Sequence, residues 1–207
     1  MKKPAQLEFP PVGRGGRRPG AGRPRGDRMT HHGREGLNRP IPYHLTWHVA
    51  DDIRSLRGGK LFRQIRKSFQ RCHEKEGFRI VHFSVQSNHV HALGEADDVR
   101  RLSRGMQGLG VSMAKRINKV SERRGAVFDD RFFARPLRTP REGANARNYV
   151  LRNSEVHERR MGIGIALRGF DAFSSAALSD GWQLTSPART WLLAVGWRKA
   201  RLPGPSG

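Results

Sequence analysis

FRIVHFSVQSNHVHALGE, residues 78–95, sets two apolar runs on either side of a polar Gln86-Ser87-Asn88 turn, the pattern of a β-hairpin. Residues i and i+2 of a strand share one face, so His89 and His91 in the second arm project side by side. Two neighbouring imidazoles make half of a metal site. They serve equally as paired structural or surface histidines, and a His-x-His pair alone does not choose between these roles.

The flanking segments decide what sheet this hairpin joins. Upstream, IPYHLTWHV (41–49) carries the β-branched and aromatic residues of a strand. Between that strand and the hairpin, residues 58–76 place Leu61, Ile65, Phe69 and Cys72 at helical spacing among Lys and Arg, with Gly77 closing the helix. Downstream, 98–119 reads as a second helix, weakened in its first half by Gly105, Gly108 and Gly110. The stretch AVFDDRFFARPLRT (126–139) reads as a strand interrupted near its middle, with Asp129, Asp130 and Arg131 in a turn or bulge. Pro140 then opens a further helix through REGANARNYVLRNSEVHE (141–158). Strand, helix, strand, strand, helix, strand and an additional helix is the order of an α+β, ferredoxin-like (RRM-like) β-α-β-β-α-β unit, an antiparallel sheet with helices on one face.

Composition points to the partner. The 207 residues carry 40 Lys+Arg against 18 Asp+Glu, a net charge of +22 spread along most of the chain, which selects for a polyanion such as nucleic acid. No apolar run of 18 residues occurs and no hydrophobic segment follows the MKK start, so the expectation is a cytoplasmic, nucleoid-associated protein without membrane contact. Cys72 is the only cysteine, so any metal must be held by His, Asn, Gln or carboxylate. Three regions follow: a basic Gly/Pro/Arg arm over 1–39, a domain over 40–160 and a C-terminal extension over 161–207. Residues 1–40 hold ten Lys/Arg against three Asp/Glu and too few apolar groups to offset the entropy of ordering. Gly22-Arg23-Pro24-Arg25 within the arm resembles an AT-hook core, in which Arg enters a narrow minor groove; a nonspecific phosphate-binding arm is the plainer reading. In the extension, Trp182, Trp191 and Trp197 either pack a short tail or stack on bases.

Four pieces in order carry a family resemblance. GFRIVHFSVQSNHVHAL, LSRGMQGL, GAVFDDRFFARPL and ARNYVLRN, spread over roughly residues 40–157, resemble the single-tyrosine HUH nucleases, and among them the REP-associated and related insertion-sequence transposases. The resemblance implies a nuclease and strand transferase acting on single-stranded or hairpin DNA, REP-like hairpins among them, as monomer or homodimer. It implies a divalent ion, Mg2+ or Mn2+, held by His89, His91 and Asn153, with Tyr149 as the nucleophile that forms a 5′-phosphotyrosine. Tyr149 and Asn153 are i and i+4, so one helix face presents both. The plainer alternatives are a half-buried helix aromatic for Tyr149 and a helix-end residue for Asn153. Tyr43, the other tyrosine, fits core packing. His82 reads as structural, and His44 and His48 are open. Lys60, Arg63, Arg66, Lys67 and Arg71, with Arg23 and Arg25 of the arm, are the expected phosphate contacts. The rival function is a silent or domesticated binder of DNA or RNA hairpins.

Overall fold

Alternation in the first strand divides the molecule into two layers. In the computed structural model, which describes residues 39–152 and 170–200, β1 (Ile41–His48) turns Ile41, Tyr43, Leu45 and Trp47 into the main core. Pro42, His44, Thr46 and His48 therefore lie on the opposite face of the sheet. The arm of residues 1–38, with Arg23 and Arg25, lies outside the described residues, as does Asn153 with the continuation of the tyrosine-bearing helix.

Helix α1 (Gly59–Cys72) buries Leu61, Phe62, Ile65, Ser68, Phe69 and Cys72, the stripe that its three-and-four spacing requires. It ends four residues before the expected boundary because the chain bends at His73 into a two-residue strand, β2 (Glu74–Lys75). Gly77, at φ 70°, supplies the left-handed turn from β2 into β3 (Phe78–Val85). After the turn at 86–88, β4 (His89–Ala96) pairs antiparallel with β3, completing the hairpin. Asp98 caps α2 (Val99–Val120) by accepting a hydrogen bond from the Arg101 amide at 2.7 Å. Gly105, which counts against a helix in sequence, sits on the Phe78 ring: a Cβ there would meet ring carbon at 2.2 Å. The glycine is therefore a packing requirement of α2 against the sheet.

An isolated bridge between Val49 and Phe128 and the short strand β5 (Phe133–Pro136) are the two halves of the interrupted strand. The sheet order is β2-β3-β4-β1-β5 with every pairing antiparallel, the split β-α-β arrangement expected from the element order. Helix α3 (Pro140–Leu151) starts at a capping box of Thr139 and Glu142 with Pro140 in the first turn. The helices-on-one-face description holds for α1 and α2. The additional helix α3 covers the other face, where Val81, Leu93, Leu137, Ala146, Val150, Leu151, Leu192 and Leu193 form a second core.

Residues 170–200 finish the fold along the outer edge of β3. Val85 N–H donates to Phe173 O at 3.1 Å, Ser175 N–H to Phe83 O at 2.9 Å and Ser186 N–H to Ile80 O at 2.7 Å, which satisfies an edge otherwise open to pairing with another chain. The buried Glu95 carboxylate then accepts from the amides of Arg189 and Thr190 and from the Thr190 hydroxyl. This anchor leads into a one-turn helix, α4 (Trp191–Ala194), and a 3-10 turn at Gly196–Lys199, both packed on α3. Among the described residues, no helix is long and apolar enough to cross a membrane.

Candidate active site

The β1–β4 register gathers histidines on the face under α3. His48 pairs with His89 and Thr46 with His91, and all four side chains share the face on which His44 also lies. Ring centroids are 4.5 Å apart for His89 and His91, 5.2 Å for His48 and His89, and 5.1 Å for His44 and His91. Helix α3 sets the half-buried Tyr149 edge-on to two of these rings, 4.9 Å from His91 and 5.7 Å from His44 between centroids. Tyrosine and histidines thus meet within one chain. Tyr43, by contrast, is buried in the main core, 4% exposed, as its strand position suggested.

Local hydrogen bonds orient the imidazoles. His89 Nδ1 lies 2.8 Å from Asn88 Oδ1, and His91 Nδ1 lies 3.1 Å from Thr46 Oγ1 and 3.3 Å from His44 Nε2. The tautomer with Nδ1–H donating to the Asn88 and Thr46 oxygens would carry the lone pair of each ring on Nε2, the arrangement by which protein partners prepare a metal-ligating histidine. The donor set therefore suits a divalent cation. Among the described residues no three His, Cys, Asp or Glu side chains converge on one point, so His89 and His91 supply two donors of a cation site that needs more.

The neighbouring charges are positive. Burial, followed by the charge of Arg135 on β5, pushes His44 from 6.5 down to about 4, keeping it neutral near pH 7. His82 is likewise pushed down to about 4, by burial first and Arg147 second. It occupies the same face because a bulge between Ile80 and His82 shifts the register, setting His82 opposite Leu93. The unfolded chain takes up a proton near pH 6.5 that folded His82 refuses until about pH 4, so its stabilising contribution is whole above 6.5 and is lost as pH falls toward 4. Urea midpoints should fall across that window, and His82→Leu should reduce the loss by about 3 kcal/mol. An unchanged acid profile in His82→Leu would refute the assignment.

Several residues that sequence reasoning left open or passed over belong to this face. His44 and His48 are four apart on one strand and so share a side, a parity signal present in the sequence, but their approach to His89 and His91 depends on the β1–β4 register. Arg135 and the exposed Phe133 stand opposite His44 and Thr46 on β5, bordering the histidines. The expected phosphate contacts on α1 are not brought here: Lys60, Arg63, Lys67 and Arg71 are exposed on the opposite layer, and Arg66 there pairs with Asp180. Asp130 accepts from the Arg131 amide in a bend, as a turn reading of 129–131 suggests.

Comparison with known proteins adds the family. The family model described as "Transposase IS200 like" matches residues 39–153. Among solved structures, the chain is similar to a REP-associated tyrosine transposase bound to a REP hairpin, at 13% identity and a TM-score of 0.46, covering 66% of this chain and 75% of that one. It is also similar to a candidate transposase of Deinococcus radiodurans R1, at 16% identity and a TM-score of 0.41, covering 58% and 95% of the two chains. No curated protein matches significantly.

Proposed function

The chain belongs to the family of IS200-like transposases, and we propose that it cuts and rejoins single-stranded or hairpin DNA with Tyr149 as the nucleophile. The observation that carries this reading is the Tyr149 ring edge-on to His91 on the face that also holds His89. A phenol beside a pair of oriented imidazoles is the donor set for metal-assisted phosphoryl transfer.

The Tyr149 Oη attacks phosphorus and the bond to the 3′ oxygen breaks, leaving a 5′-phosphotyrosine and a 3′-OH. The phenol proton lost is balanced by the proton gained at the 3′ oxygen, and no water or external energy is consumed. Reversal by a second 3′-OH rejoins DNA, because phenolate is both nucleophile and leaving group. Mg2+ or Mn2+ held by His89 and His91, with Asn153 as the further donor, would supply Lewis acidity at the nonbridging phosphate oxygens. Arg135 adds fixed positive charge to the same face. Packing of α3 on the sheet supports this reading, because it limits the positions open to the phenol and so the entropy lost in reaching the phosphorus.

The test is incubation of the chain with labelled hairpin DNA from the flanks of its own gene, with Mn2+ or EDTA, followed by a denaturing gel. A metal-dependent covalent adduct is expected. Tight binding without adduct or cleavage under any divalent metal would replace this reading with that of a hairpin binder.

Thr46 is a positioning residue on this reading. Thr46→Val keeps the strand's shape but removes the oxygen beside His91 Nδ1, so the Mn2+ concentration for half-maximal adduct should rise about 10- to 100-fold, with rescue by Thr46→Ser. An unchanged metal requirement would dismiss that role.

A further inference from the structure

Small residues on α3 let the C-terminal segment approach closely. A Cβ on Gly143 would stand 3.3 Å from Leu192 and 3.7 Å from Trp197 Cβ, so α4 and the 3-10 turn rest directly on the helix that bears Tyr149. Two like charges meet there on one ring. The Arg147 guanidinium lies 4.1 Å and that of Arg198 5.4 Å from the Trp197 centroid, an arrangement in which ring attraction offsets part of the guanidinium repulsion.

Among the described residues, no ion pair joins Arg147, Arg152 or Arg198 to a carboxylate. Burial, then the charges of Arg198 and Arg152, lowers the proton affinity of Arg147, as expected of cations held close together. Beside them, Trp191 leaves 55% of its surface open although it is a large aromatic. One side of its ring lies over Gly196, where a Cβ would meet ring carbon at 2.6 Å, and Lys199 Nζ stands 5.7 Å from its centroid. The exposed ring is therefore held by its backing.

We propose that Arg147, Arg152, Arg198 and Lys199, with Trp191, form a binding surface for single-stranded DNA, taking backbone phosphate on the guanidinium cluster and stacking a base on Trp191. The choice of nucleic acid rests on the function proposed above. The choice of single strand rests on Trp191, since a duplex buries the base faces that an exposed indole stacks on. Placement on the helix of Tyr149, with Arg147 two residues before it and Arg152 three after, sets this surface to hold the strand that flanks the cut.

Binding is measured in the full-length Tyr149→Phe chain, so that no substrate is consumed, by fluorescence anisotropy of labelled dT12 across a salt series. Arg198→Gln and Trp191→Ala should each raise Kd about tenfold, and Arg198→Gln alone should flatten the slope of log K against log salt by about 0.7. Trp191→Phe should retain most of the affinity. Arg198 is exposed, so Arg198→Gln carries the test should Trp191→Ala lower the melting temperature. The proposal is overturned by parental dT12 affinity in Arg198→Gln and in any folded Trp191 variant, by equal losses on a blunt duplex, or by tighter binding of U12 than of dT12. Adduct formation by the parent chain is scored separately. Binding losses without an adduct overturn the nuclease reading and leave this surface standing, whereas an adduct with unchanged binding does the reverse.

Discussion

Tyr149→Phe should abolish the covalent protein–DNA adduct, lowering cleavage by at least about 10³-fold while leaving hairpin binding and melting temperature near those of the parent. The substitution deletes one oxygen and keeps the ring that packs on His91, His44 and the second core. No cavity opens, so lost activity reports chemistry and not folding. The rival nucleophile, water, would leave cleavage intact and give no adduct in either chain. Tyr43 serves as the internal control: it is buried on the other side of the sheet, so Tyr43→Phe should retain adduct formation. A Tyr149→Phe chain that still forms adduct would end the assignment.

Replacing His89 by Ala and His91 by Asn should each cost roughly 10²–10³-fold in cleavage and remove stabilisation by Mn2+. The two variants differ in their side effects. The His89 ring is half-buried, bonded to Asn88 and set beside His48 and His91, so its loss removes less buried packing than a change at His91. His91 is 5% exposed and joins Thr46, His44 and Tyr149, so Asn is used to keep a polar group among these partners. Thermal melts with and without Mn2+ provide a readout independent of activity: the parent gains stability with metal and each variant does not. Full metal stabilisation in both variants would remove the histidines from the metal site.

The legible part of the fold followed from local rules with few alternatives. Strand composition marked β1, two apolar runs around a polar turn marked the hairpin, and Pro140 marked the start of α3, where the structure adds a capping box of Thr139 and Glu142. The side of the sheet that α3 covers was not legible, because Tyr43 and Trp47 on one face of β1 and His44 and His48 on the other both alternate correctly. His82 resisted a parity argument because one extra residue, Val81, sits in a bulge and reverses the count. The basic stripe of α1 was visible as a stripe, but its separation from Tyr149 by the thickness of the sheet is a tertiary fact. The role of residues 170–200 was hidden for a similar reason: Phe173, Ser175 and Ser186 bond backbone on β3 88 to 106 residues earlier, and no local pattern announces such partners.

The clamp on α3 has a mechanical consequence. Sheet on one side and the Leu192–Trp197 segment on the other leave the tyrosine-bearing helix gripped, with Gly143 and Ala146 admitting both neighbours at close range. If Tyr149 carries the cut 5′ end, that end is fastened to a stationary post. Exchange of partners would then fall to the 3′ ends, which would leave and arrive at a fixed point, and α3 would serve as an anvil on which strands are swapped.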